Sequence, residues 1–133
     1  MAVAVDWLND DQTILKYEFD GQWTWNELYA ALQQVDMMMN SVEHTVYVII
    51  DYQGSQGIPP GALTHLRSST MRAAPNWGGG VFIGISSLVE SLLNIFTNLN
   101  RKLAERYATA ANIEEALSIL QNWKANKATK TDQ

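Results

Sequence analysis

Cysteine is missing from all 133 residues. That removes disulfides, thiolate catalysis and cysteine-bound metal sites together. Histidine is nearly missing too: His44 and His65 are the only two, and they fall on different predicted elements. With no His-x-x-x-His spacing and no His/Asp cluster, no metal site is expected, and no cofactor motif is present. Basic residues are few and scattered, nine Lys and Arg against fourteen Asp and Glu for a formal charge of −5. A polyanion binder presents a basic face, so nucleic acid is not an expected partner. No apolar run approaches the ~18 residues that cross a bilayer. The opening Met-Ala-Val-Ala-Val has no basic region and is broken at Asp6, so a cytoplasmic protein with no membrane insertion is expected.

What is present is a chain with 47% hydrophobic residues and five Trp, enough for one core in one domain over 1–123. The most informative stretch is Thr45–Pro60, TVYVIIDYQGSQGIPP. An unbroken V-Y-V-I-I run predicts a strand over 45–51 buried on both faces, the centre of an α/β sheet. A glycine-containing loop follows, and Pro60 sits where proline fits best, in the first turn of a helix. Ligands and partners gather where such strands end and helices begin. Function is therefore expected in this loop.

Upstream, Val3–Trp7 and a second segment in which Leu15, Tyr17 and Phe19 alternate with Lys16, Glu18 and Asp20 predict an edge hairpin closed by Asn9-Asp10-Asp11. Thr24-Trp-Asn-Glu27 is a capping box. It opens a helix whose inner stripe is Trp25, Leu28, Ala31, Leu32, Val35, Met38, Met39 and Val42, with one methionine of the Met37–Met39 run left outside. Downstream, Leu63, Leu66, Thr70 and Ala73 mark a helix ending before Pro75. Asn76–Gly80 reads as a hinge-like connection, and Val81–Ile85 as the next buried strand. The triple glycine precedes a strand rather than a helix, which disfavours phosphate cradling. Ser87-Leu-Val-Glu90 caps a long helix to about Tyr107, and Ala108–Ala110 has a weak strand signal. Asn112-Ile-Glu-Glu115 opens a last helix through Trp123, before a polar flexible tail over 124–133.

The order is β-β-α-β-α-β-α-(β)-α, an α/β fold with a small mixed sheet of four or five strands and a parallel centre. At this point the chain resembles the STAS/SpoIIAA-like superfamily, the anti-sigma-factor-antagonist type of domain. The resemblance rests on Phe19-Asp-Gly-Gln-Trp-Thr24, on Val48-Ile-Ile-Asp51 with its loop into a helix, and on Ile113-Glu-Glu-Ala-Leu117. It spans roughly residues 3–122, and it rests on the order of the motifs rather than on any one of them. Signalling members carry Asp-Ser-Ser-Gly at the central loop, with a phosphorylated serine. Here that region reads Gly57-Ile-Pro-Pro-Gly61. The resemblance thus implies the fold and a protein-interaction role without the usual phosphorylatable serine.

No reaction chemistry stands out. Ser55 with His65 and Asp51 is the only candidate triad, and no G-x-S-x-G elbow accompanies it. Asp10-Asp11 reads as a turn, and Glu114-Glu115 as carboxylates favoured at a helix N-terminus. The expectation is a non-enzymatic regulatory module. Its candidate partner surface is Asp51, Gln53, Ser55 and Gln56 of the loop, with His65, Arg67, Ser68 and Arg72 of the following helix. Asp51 is expected to receive loop amides at a strand end. A different class of function, a small apolar-ligand or lipid carrier, would need a cavity lined by Met38, Phe82, Phe96 and Leu99. The 88–107 helix carries an apolar arc of roughly 160°, wider than a core stripe needs. A homodimer through Val89, Leu93 or Phe96 is expected from it.

Overall fold

A central strand that is apolar on both faces needs a cover on each side, and the computed structural model supplies both covers. It describes residues 3–55, 57, 59–61, 64, 76–85, 90–91, 94 and 106–131, with side chains described as far as 125. Five strands, β1 (Val3–Trp7), β2 (Ile14–Gly21), β3 (Val46–Ser55), β4 (Trp77–Ile83) and β5 (Tyr107–Ala110), form one sheet in the order β1-β2-β3-β4-β5. Only β1 runs antiparallel to its neighbour; β2, β3, β4 and β5 are mutually parallel. The protein is a mixed α/β sheet with a parallel centre.

Helix α1 (Trp25–Asn40) lies on one face. Its start is fixed by the capping box: Thr24 Oγ1 accepts from Glu27 N–H at 3.2 Å, and Glu27 Oε1 accepts from Thr24 N–H at 3.2 Å. Ala31, Val35 and Met39 are buried against Val3, Val5, Leu15, Tyr17, Phe19, Val46 and Val48. Trp25, Leu28, Leu32, Met38 and Val42 pack around them, and Met37 is the exposed methionine at 73%. The helix end is tied to the sheet by Asn76, whose Nδ2 donates to Met39 O and His44 O, both at 3.0 Å. The first of these bonds adds to a carbonyl in the last turn of the helix, and the second holds the turn beyond it.

Helix α2 (Ile113–Thr131) covers the other face. Its Ala116 and Leu120 meet Tyr47, Ile49, Val81 and Ile83, all buried. Asn112 Oδ1 accepts from Glu115 N–H at 2.9 Å, which makes Asn112 the cap, as its sequence suggested. The helix does not stop at Trp123. It runs to Thr131 where a polar tail was expected, because Lys-Ala-Asn-Lys-Ala-Thr contains neither Pro nor Gly to end it. Lys124 anchors this end, with Nζ 3.3 Å from Thr13 Oγ1 and 5.6 Å from the centre of the Tyr47 ring.

Several strand boundaries differ from expectation, among them the end of β4, at Ile83 rather than Ile85. β3 continues to Ser55 rather than ending at Asp51, because β2 continues alongside it to Gly21. β5 begins at Tyr107, which was expected to end a helix. β4 begins at Trp77, so the glycines belong to a buried strand and not to a hinge. Their role there is space and, at Gly79, also a φ of +143° that residues with a Cβ rarely adopt. A Cβ on Gly79 would lie 2.7 Å from Arg106 O and 2.8 Å from Trp123 Cζ3, and one on Gly80 would lie 3.3 Å from the Tyr107 ring. Trp123 and Tyr107 thus press on β4 from opposite faces, and only bare backbone lets both approach.

The outer edge of β1 is partly covered by side chains. Leu8 N–H bonds Ile14 O at 2.8 Å, which by alternation turns the amides and carbonyls of Val3, Val5 and Trp7 outward. Asp6 Oδ1 accepts from Trp7 N–H at 2.8 Å and Gln34 Nε2 donates to Val5 O at 3.4 Å. Side chains thus occupy backbone groups that another strand would seek.

Candidate functional site

The region after Asp51 is built by an irregularity in the sheet. Along β2 the register passes from Glu18 to Asp20, while along β3 it passes from Asp51 to Gly54. Phe19 alone therefore faces two residues, Tyr52 and Gln53, which is a β-bulge on β3. Asp51 stabilises it: Oδ1 accepts from Gln53 N–H at 3.0 Å, and Oδ2 lies 3.7 Å from Lys16 Nζ. Asp51 is thus inside the strand and serves the bulge, which corrects its placement at a strand end.

The bulge decides where the next side chains point. Tyr52 and Ser55 are three residues apart, so strict alternation would send them to opposite faces. With one residue inserted, both reach the indole of Trp23: Nε1 lies 3.2 Å from Tyr52 Oη and 3.0 Å from Ser55 Oγ. Trp23 itself is held between the end of β2 and the Thr24 cap, 7% exposed, with ring centres 5.0 Å from Phe19 and 4.9 Å from Trp25.

These groups converge on the backbone that follows. Tyr52 OH donates to Gly57 O at 2.8 Å and Ser55 OH donates to it at 3.0 Å. Trp23 Nε1 is 3.2 Å from the same oxygen. A carbonyl has two lone pairs, so the hydroxyls fill them and the indole proton is shared mainly with Ser55 Oγ, the nearest acceptor. Trp25 Nε1 then donates to Pro60 O at 2.7 Å. An indole is a donor only; that of Trp25 is spent on a backbone carbonyl, and that of Trp23 on the hydroxyl that holds its neighbour. Burial raises the Tyr52 pKa above its ordinary value, and the hydrogen bonds from Ser55 and Trp23 partly oppose this.

Of the residues expected to form the partner surface, Asp51 and Ser55 are half-buried and Gln53 is exposed. Gln56, His65, Arg67, Ser68 and Arg72 lie outside the described residues, as do Val89, Leu93, Phe96 and Leu99. Asp51 and Ser55 are not brought together. The carboxylate is engaged with Lys16 and Gln53, while the hydroxyl gives its proton to a carbonyl. A serine so used is not poised as a nucleophile. Of the expected apolar lining, Met38 packs with the α1 core, and Phe82 lies 5.6 Å from Tyr107, ring centre to ring centre.

Sequence reasoning overlooked Trp23 and Tyr52 and read Trp25 only as core stripe. The available signal was two tryptophans at i and i+2 around a helix cap. On the α1 face a second polar group is sunk in the core: Tyr17, whose pKa is raised by burial and by the nearby Tyr107 and Asp36. Tyr107 is pushed up to about 12 by burial. Among the described residues no group of three His, Cys, Asp or Glu could hold a metal ion, and no described helix is long and apolar enough to cross a membrane. No protein-family model matches the chain, and no curated protein matches it.

Proposed function

We propose that this protein is a non-enzymatic regulatory module of the STAS/SpoIIAA-like type that works by protein contact through the segment following β3. One observation carries this: the hydroxyls of Tyr52 and Ser55 fill the Gly57 carbonyl, Trp25 donates to Pro60 O, and Trp23 holds Ser55, so both carbonyls are fixed from within. A segment fixed in advance loses little conformational freedom on binding, which is what a recognition surface needs. Its polar side chains are committed to holding backbone rather than to moving protons. The parallel centre of the sheet agrees with the fold implied by the resemblance.

A photo-crosslinking residue at Gln53, on the exposed part of this surface, tests the reading. The control is the same residue at Asp10, in the exposed turn between β1 and β2. Specific protein adducts at Gln53 and none at Asp10 are expected in cells of the source. Equal adducts at both, or none at Gln53, would refute it.

A further inference from the structure

Away from the clamp that Trp23, Tyr52 and Ser55 form on Gly57, one half of the sheet is left open. Alternation sends Ala4 and Asp6 of β1, and Lys16, Glu18 and Asp20 of β2, to the α2 side, opposite the residues buried under α1. Helix α2 packs on the β3 and β4 part of that side. Over β1 and β2, Ala4, Asp6, Glu18 and Asp20 are all exposed. A wet face is ordinary on an antiparallel hairpin. It is unusual here, because β2 pairs with β3 in parallel, and parallel pairing goes with helices on both faces.

The charge on this open face is lopsided. Glu18 stands directly opposite Asp51 in the β2–β3 register, and Asp20 follows two residues on, on the same side. Adjacent strands lie ~4.8 Å apart and alternate residues of one strand ~7 Å apart, so these carboxylates share a small area. Like charges side by side on neighbouring strands cost stability. Lys16, with Nζ 3.7 Å from Asp51 Oδ2, makes the one ion pair on this face among the described residues. It offsets Asp51 and leaves Glu18 and Asp20. Asp6, opposite Lys16 on the outer strand, adds to the excess. No group of three described carboxylates could hold a metal ion. Carboxylates spread over a flat face suit separate ammonium or guanidinium heads instead.

We infer that this open half of the sheet docks a lysine- or arginine-bearing segment of a partner protein, with Glu18 and Asp20 as the central contacts. The incoming cations relieve a repulsion that the free protein carries, and the formal charge of −5 draws them in. The surface lies on β1 and β2, and its test does not depend on the reading of the segment after β3.

The full chain is titrated with a synthetic decalysine peptide and followed by backbone amide NMR. The amides of Lys16, Glu18 and Asp20 should shift, while those of Ala30 and Gln33, exposed on α1 across the sheet, stay still. Glu18→Gln/Asp20→Asn keeps the side-chain shapes, removes two charges, and should weaken decalysine binding by about fivefold or more. Asp10→Asn/Asp11→Asn removes the same charge from the exposed β1–β2 turn and should weaken it by less than about twofold. Equal weakening by both pairs would show attraction to net charge alone and overturn the inference, as would unmoved β2 amides. Saturation of the same amides by magnesium ion alone would assign the face to a metal and overturn it too.

Discussion

Replacing Trp23 by Phe isolates the one bond on which the clamp turns. The indole proton is shared between Ser55 Oγ at 3.0 Å, Tyr52 Oη at 3.2 Å and Gly57 O at 3.2 Å. Its loss is worth one net hydrogen bond, about 1 kcal/mol. Tyr52 and Ser55 still donate to Gly57 O, so no acceptor is stranded. The narrower ring leaves a gap beside Phe19 and Trp25 that adds roughly another 1 kcal/mol. Trp23→Phe should therefore cost about 1–2.5 kcal/mol, against about 3–5 kcal/mol for Trp23→Ala, which also empties the core. For a chain of this size 1.5 kcal/mol is a fall of about 5 °C in Tm. Urea unfolding gives the energies, and the double variant Trp23→Phe/Ser55→Ala gives the coupling. Partners in one network should couple by at least about 0.5 kcal/mol. Additivity within about 0.3 kcal/mol would show that the ring acts through packing alone, and the clamp as described would be wrong.

Gly79→Ala should be severe, about 3 kcal/mol or more, because the new methyl meets Arg106 O at 2.7 Å as well as Trp123; Gly80→Ala, at 3.3 Å from Tyr107, should cost clearly less in the same urea series. Asp51→Asn keeps an acceptor for Gln53 N–H and should be mild, whereas Asp51→Ala should cost about 1–3 kcal/mol and speed amide exchange at 52–57; unchanged exchange there would detach Asp51 from the bulge. Tyr107 sets an alkaline limit. Burial holds its folded pKa at about 12, above the ordinary tyrosine value of 10.0, so its contribution is intact below pH 10 and is lost as pH rises toward 12, up to roughly 2–3 kcal/mol. Tyr107→Phe should flatten that loss of stability above pH 10; a Tyr107 ring that ionises near pH 10 in the folded protein, read by NMR at that residue, would contradict it.

Where a local rule suffices, the sequence was decisive. The Thr24/Glu27 box, the Asn112 cap, the α1 stripe and the alternation of Leu15, Tyr17 and Phe19 follow from periodicity and capping, which depend on near neighbours alone. The same rules gave the apolar stretch 46–50 as a sheet centre, because a run with no polar face must be covered on both sides. Tertiary structure decided the rest. Glycines that look like a hinge are strand residues because Trp123 and Tyr107, distant in sequence, need the room. Asp51 sits inside a strand because β2 runs on beside it, and the inserted residue turns Tyr52 and Ser55 to one side. A bulge is a mismatch between two strands, so neither strand's sequence contains it. The clamp on Gly57 and Pro60 exists only where that mismatch meets the indoles flanking a helix cap.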